Sequence, residues 1–419
     1  MLPFQYNNND ELSSDGVSLS EIASRYGTPC YLYSSSHIKM RVTELQIALA
    51  RHWKGEHKPF IAYAMKANSN RSILQLMQSL GCGVDIVSGG ELARARAAGI
   101  PASAIIFSGV GKTDDELVLA LNEQIGQINI ESSAELKRLD ILTTATKQSI
   151  KIALRFTPDI ISGAHEKTST GEEDNKFGLT DDEIYKLFDY YKDHPYLSLC
   201  ALSMHIGSGV PSLDPFRDAF LRMANMVQTL RQAGHTITDI DLGGGLWVPY
   251  DGEPEPPVDE YAQMIAEIFE PLSLHVTLEP GRLLIAESSC LLTKVIYTKD
   301  RDHKQFVIVD AGMNDLIRPT LYDAYHPILP VKRKANSVSK KRDLVGPVCE
   351  TGDYFALDRE LPALDRDDLV AIMVTGAYGT VMSSHYNTRP LIQEIMIENN
   401  STRLIRRQQK LDDLWRDEL

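Results

Sequence analysis

The chain has 419 residues, 43% of them hydrophobic, which is enough for one large domain and a smaller one. Lysine and arginine number 43 against 57 aspartates and glutamates, and the resulting net charge of -14 argues against nucleic acid or an anionic membrane as the main partner. The cysteines, Cys30, Cys82, Cys200, Cys290 and Cys349, are scattered and form no C-x-x-C pair, so neither a disulfide framework nor a bound metal is expected.

The N-terminus lacks the basic and apolar regions of a secretory leader, and no run is long enough to span a bilayer, so a soluble cytoplasmic protein is expected. A helix signal at Ser18 to Tyr26 stops at Gly27-Thr28-Pro29, and a strand-like Cys30-Tyr31-Leu32-Tyr33 follows. Apolar spacing then predicts a helix over Ser34 to Trp53. From there a regular alternation begins. Strand-like runs occur at 59–65, 83–87, 104–107, 127–130, 150–156, 198–206, 238–242 and 274–279. Helical patterns lie between them: Ile73, Leu74, Met77 and Leu80 share one face, and 89–98, 114–122, 133–141, 181–191, 215–233 and 259–269 also suit helices. Such alternation means a parallel sheet, and eight units in about 230 residues suit a closed (β/α)8 barrel of the TIM type. An open doubly wound sheet is the alternative.

After Glu279 the rhythm changes. Runs at 291–298, 305–309, 343–349, 368–374 and 391–398 are strand-like, with connections rich in Pro, Gly, Asp and Lys. The expected division is a barrel over 35–285, with 1–34 and 286–419 forming a β-rich domain. Thr402 to Leu419 suits a short amphipathic helix.

Chemistry in such a barrel sits at the C-terminal ends of the strands. Lys66 follows the first strand, in Tyr63-Ala64-Met65-Lys66-Ala67-Asn68. Asp85 and Ser88-Gly89-Gly90 close the second, and Gly109 follows the third. Arg155 ends the fifth, His205 the sixth, Gly243-Gly244-Gly245 the seventh and Glu279-Pro280-Gly281-Arg282 the eighth. A lysine at a strand tip can be desolvated into a nucleophile toward carbonyls, as an aldehyde cofactor requires; the alternative is a lysine snorkelling to solvent. The triple glycine lets backbone N–H groups approach a phosphate, and Ser208 adds a hydroxyl near the same rim. Glu279 reads either as a partner of Arg282 or as a carboxylate for a pyridine nitrogen. His205 is either a core histidine or a ring that stacks on a flat cofactor.

Taken together, these motifs resemble the fold-type III decarboxylases that depend on pyridoxal 5'-phosphate (PLP), and within them the diaminopimelate decarboxylase branch. The resemblance runs nearly end to end, through Val84 to Leu92, Lys176-Phe177-Gly178, His205 to Ser208, Asp241 to Gly245 and Glu279 to Arg282. It continues through Asn314 to Pro319, Leu321 to His326, Gly346 to Asp353 and Gly376 to Gly379. It implies an alanine-racemase-like barrel with a C-terminal domain of the β-sandwich or Greek-key type. It also implies a cofactor, PLP, held by Lys66 and stacked by His205, with Glu279 at the pyridine nitrogen. Ser208, Gly243, Gly244, Gly245, Gly281 and Arg282 would cradle the phosphate beside Tyr378, and Asp85 and Arg155 would complete the cofactor's surroundings. Arg282, Arg318, Tyr322, Glu350 and Tyr378 would grip the substrate, and Cys349 would be the general acid. In this family the C-terminal residues complete the neighbouring subunit's site, so a homodimer is implied.

The implied reaction converts meso-diaminopimelate to L-lysine and CO2, the last step of lysine biosynthesis. The substrate's distal carboxylate and ammonium suit arginines and Glu350 respectively. A relative acting on ornithine, D-lysine or a carrier-bound glutamyl group is the alternative, and a PLP-binding homologue without turnover is the remaining one. Such non-catalytic proteins tend to lose the lysine or the acid, and both Lys66 and Cys349 are present. Two stretches depart from the family pattern: Gly209-Val210, where a glutamine is usual, and Trp247, where a glycine is usual. The long loop Thr157–Thr180, with His165 and Lys167, reads as a mobile active-site segment.

Overall fold

The computed structural model describes residues 2–168, 170–171, 176–335 and 337–419. Near the N-terminus, β1 (Gln5–Tyr6), β2 (Leu12–Ser14) and β3 (Val17–Ser18) make a small antiparallel sheet. α1 (Leu19–Tyr26) starts where the Ser18 hydroxyl accepts the Ser20 and Glu21 N–H groups. It stops at Gly27, whose φ of 83° suits a residue without a side chain. β4 (Cys30–Ser34) and α2 (Ser35–His52) follow.

The alternation expected from the sequence is then realised. Its strands are β5 (Phe60–Ala64), β6 (Gly83–Ile86), β7 (Ile105–Phe107), β8 (Gln127–Ile130), β9 (Ile150–Arg155), β10 (Leu197–Ser203), β11 (Asp239–Asp241) and β12 (His275–Leu278). Between them run α3 (Arg71–Ser79), α4 (Gly89–Ala97), α5 (Asp114–Glu123), α6 (Ser133–Thr146), α7 (Asp181–Tyr191), α8 (Asp214–Gln232) and α9 (Val258–Phe269). All neighbours are parallel, and β12 pairs with β5 through Leu278 and Ile61, so the sheet closes into a barrel and the open alternative is excluded.

Four of these helices begin on one local signal, Ser or Thr followed three residues later by Glu. Thr113 with Glu116 and Thr180 with Glu183 form reciprocal capping boxes at α5 and α7. At α4 and α6 the Ser88 and Ser132 hydroxyls accept the N–H of Glu91 and Glu135. Those two carboxylates reach one residue further back, to the N–H of Val87 and Glu131. At α4 and α6 the capping serine lies two residues beyond the C-terminal tip of β6 or β8, which fixes these helix starts close to the rim where the candidate chemistry lies.

Beyond the short α10 (Arg282–Ile285) come β13 (Ser289–Arg301), β14 (Lys304–Val309), α11 (Arg318–Tyr322), β15 (Ile328–Pro330), β16 (Lys340–Val345), β17 (Tyr354–Leu361), β18 (Leu369–Met373), β19 (Gln393–Glu398) and β20 (Ser401–Arg406). They form a separate nine-stranded sheet in the order β17-β16-β14-β13-β4-β19-β20, with β18 also on β13 and β15 on β18. The first half of β13 pairs with β4 and β18, and its second half with β14. The chain folds as two compact units, Val42–Val248 with Glu255–Leu283, and Met1–Arg41 with Pro249–Pro254 and Leu284–Leu419. Among the described residues, no helix is long and apolar enough to cross a membrane.

Two expectations from the sequence are corrected. The strand predicted over 343–349 ends at Val345, because the Asp353 carboxylate takes the Val348 N–H at 2.5 Å and turns the chain. The helix predicted over 402–419 is instead the strand β20 followed by a single turn, Leu411–Leu414. Asn399 and Asn400, both at positive φ, make a two-residue hairpin that returns the chain onto β19.

Candidate active site

Lys66 sits in a single turn, Met65–Ala67, directly after β5. Its Nζ lies 2.7 Å from Asp85 Oδ2, and its side chain is 34% exposed while that of Asp85 is fully buried. The second oxygen, Asp85 Oδ1, is buried without a hydrogen-bond partner among the described residues. A buried carboxylate oxygen of this kind is an acceptor built for a donor.

His205 lies two residues past β10, half-buried as a residue, with its Nδ1 accepting the Gly244 N–H at 3.3 Å. Burial, with Lys66 and Arg155 nearby, pushes the imidazole well below its usual range, so the ring is neutral. Arg155 is fixed at the tip of β9 by Glu131, Nη1 to Oε1 at 2.7 Å. Glu131 also accepts the N–H groups of Gly109 and Gly178 at 3.0 and 3.1 Å. One carboxylate therefore ties three strand-end loops together.

Glu279, buried just after β12, receives the Ser108 hydroxyl at 3.3 Å. Burial and the Asp241 and Asp85 charges hold its carboxyl well above the usual range. Asp241 is hydrogen-bonded to it and accepts from Gly243 N at 3.0 Å and Asn129 Nδ2 at 3.1 Å. The glycines after β11 are required by space. A Cβ on Gly244 would lie 2.2 Å from the Glu279 carbonyl oxygen, and one on Gly245 2.5 Å from that of Gly207. Beside them, Arg282 Nη2 donates to Ser208 Oγ at 3.2 Å. On Gly281 a Cβ would crowd Ala64 and Ala67, both 3.1 Å away.

The two departures from the family pattern lie side by side. The N–H groups of Gly209 and Val210 both reach the Gly245 carbonyl at 2.9 Å, and Val210 bridges to Leu246, next to Trp247. In the loop Thr157–Thr180, Thr168 and Thr170 donate to the carbonyls of Ser208 and His205 at 3.2 and 2.7 Å. Residues 169 and 172–175 of that loop lie outside the described residues.

The barrel unit thus gathers Lys66, Asp85, Arg155, His205, Ser208, Gly243 to Gly245, Glu279, Gly281 and Arg282 at one rim. These residues fit PLP. The orphaned Asp85 oxygen, the cradle that a Cβ would fill and the amine in a turn beside a neutral ring match its charge and shape. Ser108, Asn129 and Glu131 also belong to this network, although no motif in the sequence marks them. Their signal was present as polar side chains within or just after otherwise apolar strand runs.

The second unit carries the other predicted residues. Cys349 and Glu350 lie exposed in the turn after β16, where Asn387 Oδ1 accepts the Cys349 N–H at 2.8 Å. Tyr386 hydrogen-bonds Glu350, which pushes its phenol up. Asn387 and Tyr386 were not singled out in the sequence, and Asn387 is held at a φ of 56°. Arg318 opens α11 and is buried, and Tyr322 closes it half-buried. Tyr378, at a φ of 58°, lies between Gly376 and Gly379, both too crowded for a Cβ.

Residues 36–286 match the family model described as pyridoxal-dependent decarboxylase, pyridoxal binding domain. The chain is 45% identical over 420 residues to a diaminopimelate decarboxylase of Zymomonas mobilis, covering 100% of this chain and 99% of that protein. Among solved structures it resembles the Helicobacter pylori diaminopimelate decarboxylase complexed with L-lysine, with a TM-score of 0.91, 40% identity, and 95% and 98% of the two chains covered. The M. jannaschii diaminopimelate decarboxylase in complex with L-lysine is similar with a TM-score of 0.94 and 32% identity over 100% and 99% of the two chains. With the rim residues above, these likenesses place the chain: it belongs to the PLP-dependent decarboxylases, in the diaminopimelate decarboxylase family.

Proposed function

We propose that this chain removes CO2 from meso-diaminopimelate to give L-lysine, and that its two units supply different parts of the machinery. The observation that carries the reading is the gathering of Lys66, Asp85, His205 and Glu279 at one barrel rim in a chain 45% identical end to end to a diaminopimelate decarboxylase. PLP, when bound, supplies the electron sink for the carbanion left by CO2. Lys66 would hold the cofactor, with Asp85 orienting its amine. His205, neutral and anchored to Gly244, presents a flat ring for stacking. Glu279, backed by Asp241, is the carboxyl group for the pyridine nitrogen. The Gly243–Gly245 backbone, Gly281, Ser208 and Arg282 bind the phosphate, and Arg155 lends positive charge.

Cys349 delivers the proton, from Sγ to the carbon that lost CO2. Glu350 receives the distal ammonium, and Arg318, Tyr322 and Tyr378 hold carboxylate oxygens. The protein acts as a homodimer in which Cys349 and its neighbours serve the site of the second copy. The test is CO2 release from meso-diaminopimelate, ornithine and D-lysine with PLP present. Preferred turnover of meso-diaminopimelate is expected, and equal turnover of ornithine or D-lysine would sink the reading. Lys66→Ala is expected to abolish the visible absorbance of lysine-bound PLP together with activity.

A further inference from the structure

One buried histidine is not used by the mechanism above. His326 is completely buried, between α11 and β15. Its Nδ1 lies 2.8 Å from the Met373 carbonyl, which accepts only from a protonated nitrogen. That fixes the tautomer and leaves Nε2 unprotonated. Nε2 lies 2.8 Å from Nη1 of Arg318, an obligate donor, and accepts from it. The same guanidinium stacks over Tyr250 with its central carbon 4.8 Å from the ring centre, and Tyr250 meets the His326 ring edge-on at 5.4 Å. The histidine's own backbone is pinned, because its carbonyl accepts from Arg359 Nη1 at 3.1 Å.

We propose that His326 positions Arg318 for a substrate carboxylate by accepting its Nη1–H on Nε2 while the Met373 carbonyl holds the imidazole in the required tautomer. This rests on the reading of Arg318 as a substrate-binding residue. His326 contributes a directed acceptor and no negative charge of its own. A carboxylate in its place would orient the arginine equally well and cancel part of the charge that attracts the substrate. Fixing a guanidinium before binding raises affinity by removing rotamer freedom from the bound-state cost.

The two amide side chains separate the histidine's two bonds. Glutamine places an acceptor near the Nε2 position, and asparagine reaches only the Nδ1 position. The experiment measures KM and kcat for meso-diaminopimelate, PLP affinity by visible absorbance, and melting temperature, in His326→Gln, His326→Asn, Arg318→Ala and the doubles with Arg318→Ala. His326→Asn is expected to raise KM about 10- to 100-fold with PLP affinity unchanged. His326→Gln is expected to stay within about threefold of the parent. In the Arg318→Ala background neither substitution adds to KM.

Equal KM in the glutamine and asparagine variants, or additive effects in the doubles, overturns the proposal. If Arg318→Ala leaves KM unchanged, the substrate-binding reading of Arg318 has failed instead. Should the asparagine variant not fold, the glutamine variant decides: KM near the parent's with PLP bound supports the positioning role, and a raised KM refutes it.

Discussion

Asp241 and Glu279 are hydrogen-bonded to each other inside the barrel, and two carboxyl groups can bond only by sharing a proton. Asp241 is already supplied with donors by Gly243 and Asn129, so the proton resides mainly on Glu279.

That proton has a pH signature. Glu279 keeps it in the folded, PLP-free chain well above the ordinary carboxylate range, while the unfolded chain releases it near the usual value. Above that value the folded state binds more protons than the unfolded one, so stability falls as pH rises toward the raised folded value. Glu279→Gln removes the titrating group. Thermal melts of the PLP-free protein between about pH 5 and 8 should therefore show a flatter decline in the variant. Coincident slopes would mean the proton is not there.

Gly244→Ala forces a methyl group to within 2.2 Å of the Glu279 carbonyl oxygen. The loop must move, with a stability loss of about 1–3 kcal/mol. PLP affinity should fall by at least about 100-fold, because the loop proposed to cradle the phosphate moves, and with it the Gly244 N–H that anchors His205. Titration of the PLP-free variant, followed by absorbance, checks this, and unchanged affinity would remove Gly244 from the phosphate cradle.

Lys112 is buried and gives all three of its protons away, to the carbonyls of Gly109 and Asn129 and to Glu135 Oε1, each at 2.7 Å. Lys112→Met leaves the Glu135 carboxylate buried without its cation and should destabilise the protein by about 3–5 kcal/mol. Urea denaturation measures the loss. Adding Glu135→Leu should restore part of it, and a double variant weaker than the single would contradict the pairing.

Cys349→Ala should retain lysine-bound PLP and lower kcat by roughly 10²–10⁴-fold. Mixing it with Lys66→Ala tests the shared site. If each site draws Lys66 from one subunit and Cys349 from the other, a hybrid dimer has one intact site, and a random mixture regains roughly a quarter of parental activity. A mixture as inactive as its parts would assign both residues to one subunit's site.

The barrel was legible in the sequence because its strands, buried on both faces, are short apolar runs and the segments between them space their apolar residues as helices do. The rim residues Lys66, His205, Gly243–Gly245 and Glu279 were legible for a related reason, since a polar group or glycine at the end of an apolar run is conspicuous. What escaped depends on partners distant in the chain. Glu131 matters because Arg155 and Gly178 meet it, and Asn387 because it reaches Cys349. The C-terminal tail was misread as a helix because its charged residues allow that period. The Asn399-Asn400 turn, a local signal, decides for a strand.

β4 has a consequence for how the chain is made. Cys30 pairs with Leu292 on one side and Gln393 on the other, so an early strand occupies the middle of a sheet built from late ones. At about 5–20 residues per second, a ribosome needs roughly 20 to 70 s to bring Gln393 out after Cys30. Until Leu292 emerges the Cys30-Tyr31-Leu32-Tyr33 run, buried throughout in the folded sheet, has no partner strand, and until Gln393 emerges one of its two edges stays open. A nascent chain stalled before β19 should therefore engage chaperones through this segment, while its barrel sequence, Phe60 to Leu278, is already complete.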